Sequence, residues 1–316
     1  MFVDLHTHST ASDGTFSPTQ LIRAAKDAGL AGIALTDHDT GNGLHEAAAE
    51  AQRLGIRFVP GIEISADYPQ PGTLHILGHF IDPDSAGLKK MSTILLDARN
   101  QRNPKIIARL NHLGCSITMA QVEAIAKAAI ARANPSQGIS SLSTQHSALS
   151  TKDSAPVIGR PHIAQALVNA GCVASIKQAF DNYLGTTGAA YFDKERLTPR
   201  QAIDCIHEAG GLATVAHPVQ LRCDNPAHLA TVINHLAEAG LDGIEVWHCD
   251  HDEKTSALML DLAKRYNLLP TGGSDFHGHN KADVILGRGR NNVKVPVEVL
   301  DRLEARWKQK RHELFV

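Results

Sequence analysis

The sequence predicts an α/β protein with parallel strands, arranged as an open sheet or a barrel and interrupted by one inserted segment. Short β-branched runs alternate with amphipathic helical patterns through the first hundred residues, and the same rhythm returns after residue 198. Residues 98–200, between these regions, lack that alternation and differ in charge, which marks them as the insertion. With 316 residues, 43% hydrophobic and 20% charged, the chain has the length and apolar content for one large α/β core plus an insertion.

The elements follow in order. Asp4-Leu5-His6-Thr7-His8 opens as a strand. Ser17-Pro18 supplies an N-cap and a first-turn proline, Leu21, Ile22, Ala25 and Ala28 recur at helical spacing, and Gly29 ends the helix. Residues 33–36 read as a buried strand, 44–54 as a helix stopped by Gly55, and 57–64 and 74–80 as strands. After the insertion, Thr198-Pro199 starts a helix through Glu208, followed by a strand at 212–216, a helix, a strand at 243–247, a helix and a strand at 268–271. The expected division is a core of residues 1–97 and 201–316 with a cap of 98–200, whose Ser-rich segment 134–154 reads as an exposed loop.

Charge separates the parts further. The insertion holds twelve Lys/Arg against five Asp/Glu, a net of +7, which leaves −9 on the remainder and −2 overall. A near-neutral total gives no general attraction to duplex DNA or to an anionic membrane, whereas a basic insertion on an acidic body suits an anionic substrate held between them. No uncharged apolar run approaches the ~20 residues of a membrane helix, and Asp4, His6 and His8 stand where a secretory signal would need apolar residues, so a cytoplasmic location is expected. The cysteines (Cys115, Cys172, Cys205, Cys223, Cys249) form no CxxC pair, which argues against a disulfide frame or a thiolate zinc site.

Histidine is the unusual component, at 18 residues. His6 and His8 alternate along a strand and so point to one side, with Asp13 in the loop beyond. Asp37-His38-Asp39 follows a strand, Glu63 ends another, and His75 and His79 lie in the next; His217, Asp275 and His277 occupy similar places in the second half. Parallel α/β barrels assemble their sites on that face, where strands end. Imidazole and carboxylate without thiolate suit Zn, Mn or Fe in a hydrolytic site, with positions left open for water and substrate.

The pieces DLHTHS (4–9), SDG (12–14), TDHDT (36–40), PGIEIS (60–65), VAHP (215–218) and GSDFH (273–277), in this order, resemble the PHP (polymerase and histidinol phosphatase) family of metal-dependent phosphoesterases. The resemblance implies a distorted (β/α)7 barrel with an inserted, mainly helical cap, and three divalent ions. It assigns the first ion to His6, His8, Glu63 and Asp275, the second to Glu63, His75 and His217, and the third to Asp13, His38 and His277. It also implies attack on phosphorus by a metal-bridging hydroxide, with no covalent nucleophile. Two dications ~3.5 Å apart repel by roughly 20 kcal/mol at an effective dielectric of ~20, so the cluster requires bridging anions. Three dications, three carboxylates and one hydroxide leave +2, which a terminal phosphate dianion cancels better than a diester monoanion. Within the family, Gly159-Arg160-Pro161-His162 and the run QAFDNYLG (178–185) resemble the branch of nucleoside 3',5'-bisphosphate phosphatases and 5'-to-3' exoribonucleases.

Around that centre, Arg160 is the expected phosphate clamp, because a guanidinium offers fixed bidentate donors, with His162 assisting. His79 and His248 are candidates for substrate contact and leaving-group protonation. Asp37 and Glu245 either orient metal-holding side chains or cap the following helix. Tyr183 and Tyr191 are candidates for base stacking, with core packing as the alternative. The remaining nine histidines need no functional role. The expected substrate is a small phosphorylated nucleotide, a nucleoside 3',5'-bisphosphate losing its 3'-phosphate. The alternatives are 5'-to-3' trimming of short RNA, hydrolysis of histidinol phosphate or another small monoester, and a non-catalytic metal-binding module.

Overall fold

The computed structural model describes residues 1–133 and 157–313, so the whole of the Ser-rich segment 134–154 lies outside the described residues. The elements are β1 (Phe2–Asp4), α1 (Pro18–Asp27), β2 (Gly32–Leu35), α2 (Leu44–Leu54), β3 (Arg57–Ala66), β4 (Leu74–His79), α3 (Ala86–His112), α4 (Met119–Ala133), α5 (Arg160–Asn169), α6 (Ile176–Ala179), α7 (Pro199–Glu208), β5 (Leu212–Val215), α8 (Pro226–Glu238), β6 (Gly243–His248), α9 (Glu253–Arg265), β7 (Leu269–Gly273), β8 (Val295–Pro296) and α10 (Val297–Glu313). A π turn, Phe180–Leu184, follows α6 directly. The Ser17 cap acts as its sequence suggests: its hydroxyl accepts the Gln20 N–H while the Gln20 side chain accepts the Ser17 N–H.

The strands run in the order β7-β6-β5-β4-β3-β2-β1-β8. β1, β2 and β3 are parallel, as are β5, β6 and β7, but β4 is antiparallel to both its neighbours. The seven residues between β3 and β4 are too few for a crossover helix, so the chain turns back as a hairpin. This reversal distorts the otherwise regular α/β barrel. Beyond β1, the Leu5 N–H donates to the Gly272 carbonyl, and the Asp275 and His8 N–H groups to the carbonyls of His6 and Phe276, so the first and seventh strands close the ring. Gly273 permits this approach, because a Cβ there would lie 2.4 Å from that of His6. β8 adds an antiparallel strand to β1 outside the closed ring.

Three apolar clusters result. The largest joins the barrel to its surrounding helices, and a second packs Val3, Leu5 and Val59 against α10 at one barrel end. The third belongs to the cap, where Ile106, Leu110, Val122, Ile163, Leu167 and Leu184 pack together. α3 enters both systems: Leu88, Met91 and Leu95 pack with the barrel, Ile106, Ile107 and Leu110 with the cap. The expected junction at 97/98 therefore falls inside one continuous helix, with Arg99, Arg102 and Asn103 buried between the two cores. Among the described residues no helix is long and apolar enough to cross a membrane.

Candidate metal centre

Nine side chains meet at one end of the barrel: His6, His8, Asp13, His38, Glu63, His75, His217, Asp275 and His277. Period-two alternation beyond β1 aims His6 and His8 together, so their Nε2 atoms lie 3.4 and 3.2 Å from Glu63 Oε2 and 3.6 and 3.4 Å from Asp275 Oδ1. The other Glu63 oxygen faces His75 Nδ1 at 2.8 Å and His217 Nε2 at 3.0 Å. Asp13 faces His277 Nε2 at 3.4 Å and His38 Nε2 at 3.9 Å. His38 Nδ1 also approaches Glu63 Oε2, at 3.0 Å. Most of these groups follow a strand, but Glu63 lies within β3, three residues before its end, and His75 near the start of the antiparallel β4; the backbone at His217 and Asp275 is unusual, with φ 28° and 55°, rare for residues other than glycine.

The donor set fits divalent ions. His6 Nε2, both ring nitrogens of His8, His38 Nδ1, His217 Nδ1 and Glu63 Oε2 are buried without a hydrogen-bond partner. Buried polar atoms are ordinarily paired, so the facing and unpaired His6 Nε2, His8 Nε2 and Glu63 Oε2 point to a cation between them. Five sets of donor atoms each lie within 4.8 Å of one another among the described residues: His6, His8 and Glu63; His38, Glu63 and His75; His8, Asp13, His38 and His277; His6, Glu245 and His248; and His248, Cys249 and Asp275. Burial would raise the Glu63 carboxyl, but His38, His75 and His6 outweigh it and hold the group well below its usual range. Burial likewise pushes His38 and His217 down to about 4, toward the neutral imidazole that a metal requires.

Further carboxylates hold these groups in place. Glu245 is fully buried, with Oε1 3.1 Å from His6 Nδ1 and Oε2 accepting the His217 N–H at 2.6 Å. Asp37 accepts the Ser9 N–H, the Ser9 hydroxyl and the Ser12 hydroxyl, at 2.8, 2.6 and 2.5 Å, and so fixes the loop that carries Asp13. Neither caps a helix. Asp4 does the same for the opposite loop by accepting the Ser274 N–H and hydroxyl and the Gly287 N–H. The first motif contains Asp4, but nothing in its local pattern signals a partner 270 residues away.

Other expectations require correction. His79 is fully buried and its Nε2 pairs with the Leu5 carbonyl at 2.9 Å, so it packs inside the barrel and meets no substrate. His248 is also fully buried; its Nδ1 accepts the Asp250 N–H, which leaves the proton on Nε2, 3.5 Å from Asp275 Oδ2. It supports Asp275 and does not reach substrate. Tyr183 packs against the cap core and Tyr191 lies under the Arg160 guanidinium at 5.5 Å, and neither is among the residues that line the cleft described next. His162 is buried, and its Nδ1 accepts the Gly159 N–H at 3.0 Å, a bond that fixes the start of α5.

Arg160 lines a cleft of about 980 Å³ that runs from the centre into the cap. Asp13, His38, His75 and His277 line it together with the insertion's Arg99, Arg102, Arg160, Lys177, Lys194 and Arg196, and with Tyr68, Ile176 and Phe180. Burial, together with Arg99, Arg160 and Arg196, pulls the Arg102 pKa down, as crowding of like charges does. The +7 of the insertion was the sequence signal for these cations, but it did not single out Arg99, Arg102, Lys194 or Arg196. Lys281, 2.5 Å from Asp275 Oδ2, was likewise unsignalled.

Comparison with known proteins places the sequence and fold among relatives. Residues 4–193 match the PHP domain family. A 3',5'-nucleoside bisphosphate phosphatase of Chromobacterium violaceum is 30% identical over 304 residues, covering 96% of this chain and 97% of that protein. A 5'-3' exoribonuclease of Haemophilus influenzae is 31% identical over 274 residues, covering 87% of this chain and 89% of its own. The crystal structure of a Bifidobacterium adolescentis protein assigned as a metal-dependent phosphoesterase superposes with TM-score 0.77 at 28% identity, covering 96% of both chains.

Proposed function

The chain belongs to the PHP family of metal-dependent phosphoesterases, and from that premise we propose that it removes the 3'-phosphate of nucleoside 3',5'-bisphosphates to leave the 5'-monophosphate. The observation that carries this reading is one cleft lined both by imidazoles and carboxylates of the centre and by six cations of the insertion, Arg99, Arg102, Arg160, Lys177, Lys194 and Arg196. One phosphate of the substrate lies at the centre and the second is held by these cations.

The proposed holders of the first ion are His6, His8, Glu63 and Asp275, of the second Glu63, His75 and His217, and of the third Asp13, His38 and His277; Mn, Zn and Fe all suit these donors. When bound, divalent ions supply Lewis-acid stabilisation of the phosphoryl group and a lowered pKa for the attacking water. Three dications against the carboxylates of Asp13, Glu63 and Asp275 leave +3, which attracts a dianionic terminal phosphate more strongly than a monoanionic diester. Glu245 and Asp37 keep the imidazoles and the Asp13 loop oriented. Arg160, with one donor on the Leu184 carbonyl at 2.9 Å and its plane over Tyr191, is held as a fixed phosphate clamp. The Cys249 thiol beside Asp275 is pushed up by its burial and by Asp275 and Asp250, far from the reactive thiolate.

The second reading is 5'-to-3' exonucleolytic trimming of short RNA, favoured by the comparable identity to the Haemophilus protein and by a cleft with an apolar wall at Ile176 and Phe180. Assay of the manganese-loaded protein separates the two. Adenosine 3',5'-bisphosphate should release inorganic phosphate with kcat/KM about 10-fold or more above that for mononucleotide release from a 5'-phosphorylated RNA trimer, a gap of about 1.4 kcal/mol. The reverse order would select the exonuclease.

A further inference from the structure

Asp39 follows His38 at the end of β2, and none of the roles above uses it. Its backbone has φ 58°, an unusual conformation for a residue with a side chain, and the side chain is fully buried. Oδ1 accepts the Ser65 N–H at 3.0 Å, while Oδ2 accepts from Arg99 Nη2 and Lys194 Nζ, each at 2.6 Å. Arg99 belongs to α3, and Lys194 to the segment leading out of the cap. Since both nitrogens lie 2.6 Å from one oxygen, they are within 5.2 Å of each other. Two buried cations hold that separation only with an anion between them. Arg99 and Arg102 each retain a buried Nε without a partner, and both line the cleft with Lys194. Donors therefore remain for a ligand after Asp39 has taken its share.

We infer that Asp39 is a positioning residue: it clamps Arg99 and Lys194 of the cap to the end of β2, one residue from the metal centre, and so fixes the spacing at which the cleft accepts two phosphates. The inference rests on the bisphosphate reading. It makes Asp39 a determinant of specificity for doubly phosphorylated substrates, although it touches no substrate itself.

Two variants test it. Asp39→Asn keeps the size and removes the charge; Asp39→Ser removes the carboxylate altogether and leaves both Arg99 and Lys194 in the chain. Circular dichroism and metal content establish folding and loading. Calorimetry of adenosine 5'-monophosphate binding to the metal-free protein reads the cap without turnover. Kinetics of the manganese-loaded protein on adenosine 3',5'-bisphosphate and p-nitrophenyl phosphate then read the split. In each variant, adenosine 5'-monophosphate should bind about 10-fold more weakly and the bisphosphate KM should rise about 10-fold, while kcat on the bisphosphate and kcat/KM on p-nitrophenyl phosphate change less than about 3-fold. Equal losses on both substrates, or loss of folding in both variants, would make the contact merely structural and overturn the inference. Tighter monophosphate binding would overturn it too, because Asp39 would then be competing for the cations instead of placing them. Should the wild-type protein release no phosphate from the bisphosphate while monophosphate binding still depends on Asp39, the functional reading fails and the clamp stands. With an active wild-type protein whose monophosphate binding ignores Asp39, the clamp alone fails.

Discussion

Glu245 shows how much of the centre depends on residues beneath it. Its two oxygens meet His6 Nδ1 and the His217 N–H, so one carboxylate fixes the rotamer and tautomer of one histidine and the backbone of another. Burial would raise its pKa, but His6 and His248 hold it at about 2, so it stays ionised. Replacing it by Gln should weaken divalent-metal affinity about 10–100-fold while the fold is retained, measured by calorimetry and circular dichroism. Unchanged affinity would mean that His6 needs no such support. Asp275, with φ 55° and contacts to His6, His8 and His277, is expected to be indispensable: Asp275→Ala should abolish turnover with no loss of secondary structure. At this scale the residue types were legible from the sequence, because strand-end histidines and acids are conspicuous. Their pairings were not, since His79 shares a strand and a face with His75 yet sits at the other end of β4, where it is buried against the Leu5 carbonyl.

Among the elements, closure of the barrel depends on the contact between the chain beyond β1 and the end of β7. Gly273 is the tight point, where a Cβ would meet the backbone and side chain of His6. Gly273→Ala should destabilise the fold by about 1–3 kcal/mol and loosen metal binding together with it, seen as a lowered urea midpoint and reduced metal content. Gly55→Ala provides the control: that position has φ 63° but open space around it, so a loss of about 1 kcal/mol without any effect on metal is expected. Equal effects at both positions would remove Gly273 from the account of closure. Strand and helix positions followed closely from sequence periodicity, and the Ser17 and Thr198 caps formed as their motifs indicate. The reversal of β4 did not follow from its own residues, which read as an ordinary buried strand; the short connector before it decides the direction.

For the whole molecule, a second carboxylate ties parts of the barrel wall together away from the centre. Asp242 accepts the Ala213 N–H at 2.9 Å, lies 2.7 Å from His207 Nε2 on α7 and pairs with Lys310 on α10. Burial would raise its pKa, but His207 and Lys310 outweigh that and lower it below 3.8. A carboxyl depressed on folding contributes stability above its unfolded pKa and loses it as the pH falls through the folded value. Asp242→Asn should therefore be less stable than wild type at pH 7, with the gap narrowing as the pH drops below 3.8, by urea unfolding across that range. A gap independent of pH would assign the loss to packing. What the sequence by itself determined was the class of fold, the family and the residue types at the centre, because these rest on local periodicity, strand-end position and motif order. It also located the excess positive charge in the insertion. Only the tertiary structure decided which acids orient which histidines, which cations face the cleft, and that α3 serves barrel and cap at once. Those are contacts between residues tens to hundreds of positions apart, set by barrel closure and by the packing of two cores against one helix, and no local pattern encodes them.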